Sequence, residues 1–531
     1  MLKRIADYII SPQTIKHLSL VYTPVPILRG LTLVIPRAKY WVDSPCLKFQ
    51  ALAKRYGEVY QIKFGNRLIV VANSYSSVQQ LWCSNNVKGN NSRPVTYSFH
   101  KVLSKTGIYT IGSTPMSEAY KNSRKHISEH ILSERKNKQF NFHVISQSCD
   151  ELIASLIIKS EMKEGKPVVS DDLLLKAQYF HLKIALWLTY GFKIKFDDPI
   201  HCSLANDIIR VENRITKVRS HIQNLQDYLP FYARALCNFF SNHNPEFKQL
   251  YESRNNYLQL FFAHAQQLYE NINDQKQNLL HKLESDNIDE LENTLMYNYF
   301  KENNSRVSLE ELTSECLTMV SAGLDNTPLN FKYGIHMLCN FHPEYWNVAF
   351  KDLLTLYDNN IDKAYNSCSS DLNSCYILAL VEETLRLFTV LPLSLPRETT
   401  ANVIYQNSVI PSKTTLFMNC WAANHDESVF PEPMEFKPER WLIFSKTTEN
   451  SETVKLNTSM KHFAFGAGCR KCLGANFAKR ELYVLFAKLI LKFKPAITTN
   501  VKPTFHPLKL NMYPESLAIE PIAFDIHLEI R

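Results

Sequence analysis

The sequence predicts a mainly α-helical fold with a small β-rich region, carried in one large domain. Three observations lead there. Long stretches repeat their apolar residues at helical spacing, above all 309–338, 376–388 and 476–493. One clear pair of extended runs, 59–64 and 68–71, is joined by the turn pair Gly65-Asn66 and reads as a hairpin. No Gly/Ser-rich linker and no internal repeat divides the 531 residues, so a prior of about 150 residues per domain gives way to one unit.

Composition narrows the function. A hydrophobic content of 45% supplies a sizeable core. Twelve cysteines at irregular spacings, without a secretory signal, point to free thiols in a reducing compartment. The net charge of +9 is spread along the chain without a basic tail, which argues against nucleic acid and for an acidic protein partner. Residues 1–37 stand apart from 38–531. The run His17 to Pro36 is apolar but interrupted by Pro24, Pro26, Arg29 and Gly30, so it predicts no spanning helix. It reads equally as a segment dipping into a membrane surface or as a strap packed on the domain.

In order, Pro45 to Arg55 reads as a helix ended by Gly57, and the hairpin follows. The stretch Ser92 to Gly112 is polar, aromatic and loop-like. A basic helix carries Tyr120 and Arg124 one turn apart on one face. Helical stretches from Phe180 to Leu283 break at Leu229-Pro230 and His243-Asn244-Pro245 and carry no chemistry of their own. Ser308 to Glu311 is a capping box opening a long helix, inside which stands Ala322-Gly323-Leu324-Asp325-Asn326-Thr327-Pro328. Pro328 lacks an N–H and crowds the carbonyl of Leu324, so the helix is expected to open there. The helix Tyr376 to Phe388 holds Glu383 and Arg386, an acid and a guanidinium one turn apart, and Leu391 to Arg397 reads as a Pro-kinked strand. Phe436 to Trp441 includes Arg440.

The chemistry concentrates in Phe465-Gly466-Ala467-Gly468-Cys469-Arg470-Lys471-Cys472-Leu473-Gly474. A cysteine that ligates haem iron needs a tight turn, backbone amides facing its sulfur and a cation for a porphyrin carboxylate. Gly466 and Gly468 allow positive φ, Gly474 lets the next helix approach a flat cofactor, and Arg470 can reach a propionate. Cys469 and Cys472 also form a C-x-x-C. A structural zinc site wants four ligands, no second such pair exists, and His462 alone does not complete the set. A redox site would need a βαβ context, whereas this loop runs into the helix 476–493.

The spacing F-G-x-G-x-R-x-C-x-G resembles the haem-binding loop of the cytochrome P450 superfamily, and the other motifs follow in that family's order. The resemblance implies the cytochrome P450 fold, haem b (iron protoporphyrin IX) as cofactor and Cys472 as its metal ligand. Arg470, Arg397, Arg124, Tyr120 (where the family has tryptophan), Phe465, Gly466 and Gly474 are then cofactor-binding. Asp325, Asn326 (in place of a threonine) and Thr327 would steer protons during dioxygen activation. Glu383, Arg386 and Arg440 would form a buried network under the cysteine loop. Phe99, His100 and Lys101 in the loop that closes over substrate, with Ala322, Leu391 and Leu393, would line the pocket.

A finer resemblance is to fungal members that hydroxylate phenylacetate-type acids, carried by Ser92-Arg93-Pro94, Phe99-His100-Lys101 and Leu391-Pro392-Leu393. It implies a monooxygenase that puts one oxygen atom into a small organic, aromatic-acid substrate. Electrons would come from NADPH-cytochrome P450 reductase docking on Lys121, Lys125, Lys471 and Lys479. The expected place is the cytoplasmic side of the endoplasmic reticulum, held peripherally, with the cytosol as alternative. Other readings remain beside it: a peroxide-driven or isomerising haem-thiolate enzyme, which Asn326 favours; a lipid or secondary-metabolite hydroxylase; and a haem sensor or carrier.

Overall fold

A computed structural model describes residues 30–33, 44–84, 88–104, 109–163, 166–195, 197–219, 224–230, 245–277, 291–302, 306–448, 451–496 and 504–531. Helix α1 (Pro45–Tyr56) starts on its proline and stops at Gly57, whose φ of 100° no L side chain adopts easily. Strands β1 (Gly30–Leu33), β2 (Val59–Phe64) and β3 (Arg67–Ala72) follow the expected hairpin, with Val59 opposite Ala72 and Phe64 opposite Arg67. The strand at 30–33 lies parallel to β2; the rest of the apolar run 17–36 lies outside the described residues. From far along the chain come β4 (Arg397–Glu398) and β5 (Thr415–Met418), completing a sheet in the order β1-β2-β3-β5-β4. This pairing sets Arg397, opposite Leu416 of β5, one strand away from the N-terminal hairpin. A second sheet joins 161–163, 166–171, 526–530 and 493–495, and 442–448 pairs with 451–456. These strands are short and partly charged, so no alternation announced them.

The helical body consists of α2 (Glu118–Ile127), α3 (Phe142–Ile158), α4 (Leu174–Tyr190), α5 (Pro199–Val218), α6 (Pro245–Gln277), α7 (Leu309–Asn340), α8 (Cys375–Phe388) and α9 (Ala475–Lys492). The centre is α7. It is buried from Thr327 to Leu338, and α4, α8 and α9, themselves buried over most of their lengths, pack about it. Its capping box forms as written, the Ser308 hydroxyl accepting from the Glu311 N–H while the Ser308 N–H donates to Glu311 Oε2 at 2.6 Å.

Two expectations are corrected. The long helix does not open at Pro328 but continues to Asn340. The proline costs one bond to the Leu324 carbonyl, while Asn326 and Asn330 side chains donate at 2.7 Å to the carbonyls of Ala322 and Asn326 around it. The segment 391–396 is no strand. Its two prolines lack donors and Ser394 takes a φ of 51°, so only Arg397 and Glu398 reach the sheet.

Candidate haem site

The cysteine loop is shaped by its glycines. Gly466 and Gly468 have φ of 68° and 60°, and at Gly468 a Cβ would run into the Trp82 carbonyl oxygen at 1.9 Å. The Cys472 N–H donates to the Phe465 carbonyl at 2.9 Å and the Gly466 N–H to Phe463 at 2.8 Å, closing the turn. Cys472 keeps an accessible face. Behind that face the loop crowds it enough that burial raises its thiol pKa, against the Gly474 N–H bonded to the sulfur and the nearby Arg124 and Lys471 charges. A Cβ on Gly474 would meet no protein atom within 4 Å, so the chain is open at that position, two residues after Cys472.

Around the loop stand guanidinium groups without acids. Arg470 donates to the carbonyl of Thr114 at 2.7 Å and lies 3.8 Å from the Tyr120 ring centre; burial lowers its pKa to about 10. Arg397 donates to the carbonyls of Asn90, at 3.1 Å, and Ala467. Burial, with Arg470 adding to it, lowers its pKa to about 10. Arg93 is spent on the carbonyls of Gly112, Leu395 and Pro396 at 2.7 to 2.8 Å, and Arg124 on that of Lys471 at 3.0 Å. Among the described residues none of the four has a carboxylate partner. Buried cations that repel one another call for anions.

Beneath the loop the expected network forms. Arg386 donates to both oxygens of Glu383 at 2.8 and 2.9 Å, and Arg440 to Oε1 at 3.0 Å. The sequence reading missed Trp441, whose indole N–H donates to Glu383 Oε2 at 2.9 Å, and Asn424, which accepts from Phe463 N–H at 2.8 Å while its own carbonyl takes an Arg386 N–H. Asn424 thus ties the network to the cysteine loop. Burial alone would raise the Glu383 pKa, but Arg386 and Arg440 hold it below the ordinary value. His462 is bonded to Glu382 at 2.9 Å, which removes it from any zinc set with the cysteines.

On α7, Ala322 is exposed and Asn326 half-buried on the same open face, one turn apart. Asp325 points elsewhere: it is buried, accepts from Gln178 at 3.5 Å, and burial raises its pKa to about 6, against a hydrogen bond from Thr216. Thr327 leaves the expected set. Its hydroxyl is buried and donates to Glu481 at 3.3 Å, in a cluster with His181, whose Nδ1 lies 2.9 Å from Glu481. A Cβ on Gly323 would sit 2.1 Å from the His181 ring, so that glycine serves this contact.

The Cytochrome P450 family model matches residues 27–520. The chain belongs to the cytochrome P450 family. It is 31% identical over 492 residues to a phenylacetate 2-hydroxylase of Emericella nidulans, covering 92% of this chain and 87% of the relative. A 3-hydroxyphenylacetate 6-hydroxylase of the same organism is 31% identical over 498 residues, covering 94% and 87%. A zebrafish cytochrome P450 solved with abiraterone shares the fold at a TM-score of 0.67 and 17% identity, over 92% of this chain and all of that one. As a cytochrome P450 monooxygenase the protein takes haem b through a cysteine thiolate. The residues present fit that group: the accessible Cys472 thiol in the loop that ends at the open position of Gly474, and guanidinium groups without acid partners among the described residues for two propionates.

The substrate-side residues of this P450 are less well met. His100 is buried with Nδ1 at Thr96 and Nε2 at the Ser113 carbonyl, and burial lowers its pKa to about 4, so it is neutral. Lys101 is exposed. Neither supplies an inward cation. Phe99 does line a cavity, but its facing wall is Leu395 and Pro396 rather than Leu391 and Leu393. Of the four lysines expected to meet a reductase, Lys121, Lys125 and Lys471 are exposed, whereas Lys479 is turned to Glu382. No helix of the described residues is long and apolar enough to cross a membrane.

Proposed function

We propose that this cytochrome P450 hydroxylates a small aromatic acid with electrons from NADPH-cytochrome P450 reductase. The observation that carries the substrate reading is the likeness, over most of the chain, to two hydroxylases named for phenylacetate and 3-hydroxyphenylacetate. When bound, the haem supplies reductive activation of dioxygen. The chain's own residues do the rest. Cys472 ligates the iron, held at fixed height by its bond to Phe465 and by the Gly474 N–H on its sulfur. Arg470, Arg397 and Arg124 hold the propionates, with Tyr120 packed under Arg470.

Asp325 moves protons. It lines a pocket of about 10 Å³, room for about one water, whose wall includes Lys217 and Glu520, themselves paired at 3.0 Å. A carboxyl with its pKa raised to about 6 holds and releases a proton close to neutral pH. Asn326, one residue on and facing the open side, offers an amide to the reacting oxygen in place of a hydroxyl. The reductase meets the face carrying Lys121, Lys125 and Lys471 beside the cysteine loop, and the enzyme is held peripherally at the cytoplasmic side of the endoplasmic reticulum.

The test uses haem-loaded protein. Phenylacetate is expected to shift the Soret band, and with the reductase and NADPH to yield a hydroxylated acid in step with NADPH consumed. Turnover with peroxide but none with NADPH and reductase would defeat the reductive reading.

A further inference from the structure

We propose that Arg219 receives the substrate carboxylate, at the head of a cavity bounded by Arg93, Phe99, Ser113, Leu395 and Phe417; this rests on the reading of the chain as an aromatic-acid hydroxylase. The cavity has about 80 Å³ of room. At roughly 10–15 Å³ per water, that holds a handful of waters, the scale of a compact acid and not of a lipid.

Arg219 directly follows α5, its N–H still bonded to Ile215, and it is half-buried. Its guanidinium lies 3.9 Å from the centre of the Phe99 ring and donates one N–H to the Ser113 hydroxyl at 2.8 Å. A guanidinium has five N–H donors. Among the described residues no carboxylate pairs with it. Glu212, about two turns back on α5, is taken by Arg254 and by Tyr257, whose hydroxyl donates at 2.6 Å. Asp227, the carboxylate on the cavity wall, accepts the Ser98 N–H and O–H, both at 2.7 Å.

The other two arginines of the wall are occupied. Arg67 donates to the carbonyls of Asp227 and Val95 at 2.9 and 2.6 Å, and Arg93 to three carbonyls. Arg219 therefore keeps its fork of donors for a ligand, in a place where burial already lowers its pKa to about 10 and an anion would relieve it. An aromatic ring beside a guanidinium is the local chemistry of a phenyl-bearing acid.

The place also suits the reaction. Ser113 belongs to the loop 110–114, where Ile111 N–H donates to Thr318 at 2.8 Å, one turn before Ala322 on α7, and where the Thr114 carbonyl accepts from Arg470. One short loop thus joins the carboxylate anchor, the open face of α7 and a guanidinium of the cysteine loop. His100, the cation expected from sequence, contributes a neutral ring to the same wall.

Soret titrations of the haem-loaded protein with phenylacetate and with phenylacetamide test this. Wild type is expected to bind the acid at least tenfold more tightly. Arg219→Gln should weaken phenylacetate about thirtyfold, the scale of a lost charge-assisted bond, and leave the amide within about threefold. Arg219→Lys, which keeps the charge and loses the fork, should fall between and stands in if the first variant does not fold. The carbon monoxide difference band reports folding in each. An acid preference that survives in Arg219→Gln, or in Arg219→Lys at full strength, overturns the anchor and leaves the aromatic-acid reading standing. Equal loss of both ligands makes Arg219 a packing residue and also overturns it. Wild type that binds acid and amide alike, or neither, defeats the aromatic-acid reading itself.

Discussion

Every bond to the buried carboxylate of Glu383 comes from Arg386, Lys437, Arg440 or Trp441, residues within one stretch of the chain. The cavity at Arg219 is walled by segments taken from Arg67 to Phe417. In the first region each donor finds an acceptor. In the second, the Arg219 guanidinium retains donors that no carboxylate among the described residues takes. The contrast separates two kinds of residue. The residues of the Glu383 network satisfy one another, whereas the residue proposed to receive a substrate keeps donors for it and has its surroundings brought together only by folding.

The sharpest break between the two regions lies at the sulfur. Cys472→Ser is expected to abolish the carbon monoxide difference band of a thiolate haem, while Cys469→Ser keeps it. Cys472 has the Gly474 N–H on its sulfur and the open position of Gly474 two residues on, whereas Cys469 lies on a surface hollow with Lys88 and Lys125. The opposite outcome would reassign the ligand. Next in size is Glu383→Gln. Breaking a buried ion pair on one side leaves two guanidinium groups uncompensated, a loss of about 3–5 kcal/mol. Chemical denaturation should show it, with haem lost along with the fold. A variant as stable as wild type would mean that the network merely decorates the loop.

How much was legible follows the same division. The glycines of the cysteine loop, Arg470 and the Glu383 and Arg386 pair could be read from local spacing, whereas Arg440, 57 residues from Glu383, was legible only through the likeness of its segment to the family's. Trp441 sat in plain view next to Arg440, but an indole N–H on a carboxylate has no spacing rule. Asn424, His181 and Arg219 could not be read at all. Their partners lie 39, 300 and 106 residues away along the chain. The expected helix opening at Pro328 erred because tertiary packing around α7 outweighs one missing bond, and Thr327 erred because a step of one residue turns a side chain by about 100° on a helix. His100 has the right address and the wrong charge, since burial favours its neutral form.

Acid tests the loop's other support. Glu382 accepts from His462 and from Lys479. Burial opposes its ionisation, yet the His462 N–H and the Lys479 charge bring its pKa down to about 2. Burial holds His462 itself below its usual pKa, against its bond to Glu382. A depressed folded pKa stabilises the protein above the unfolded value of about 4.5 and loses that share as pH falls toward 2. The share is on the order of 3 kcal/mol. Haem retention should therefore fall more steeply below pH 4.5 in wild type than in Glu382→Gln, and parallel curves would remove Glu382 from the account.

On the α7 face the effects are kinetic. Asp325→Asn should slow product formation by roughly a hundredfold or more at unchanged substrate affinity, the scale for loss of one proton-transfer group. The wild-type rate should depend on a group near pH 6, the value to which burial raises Asp325. Asn326→Thr should leave coupling of NADPH to product equal or better. Normal turnover in Asp325→Asn would show that protons enter by another route.

The smallest effect is expected on the outer surface, where the electron donor docks. Lys121 and Lys125 are mostly exposed, in ion pairs with Glu118 and Glu129 of their own helix, and such pairs hold a side chain weakly. Lys471 is exposed in the cysteine loop, and its carbonyl accepts from Arg124. Together they present positive charge beside the loop that carries Cys472. Reversing Lys121 and Lys471 to glutamate should lower the rate of reduction by the reductase about threefold to tenfold at low salt and flatten its dependence on ionic strength, because steering acts within a Debye length of about 10 Å at 0.1 M. Lys479 supplies the contrast. It is tied to Glu382 behind the loop, so its reversal should reduce haem retention rather than electron transfer. Equal reduction rates in wild type and the double reversal at low salt would leave these lysines as ordinary surface and send the search for the docking face elsewhere.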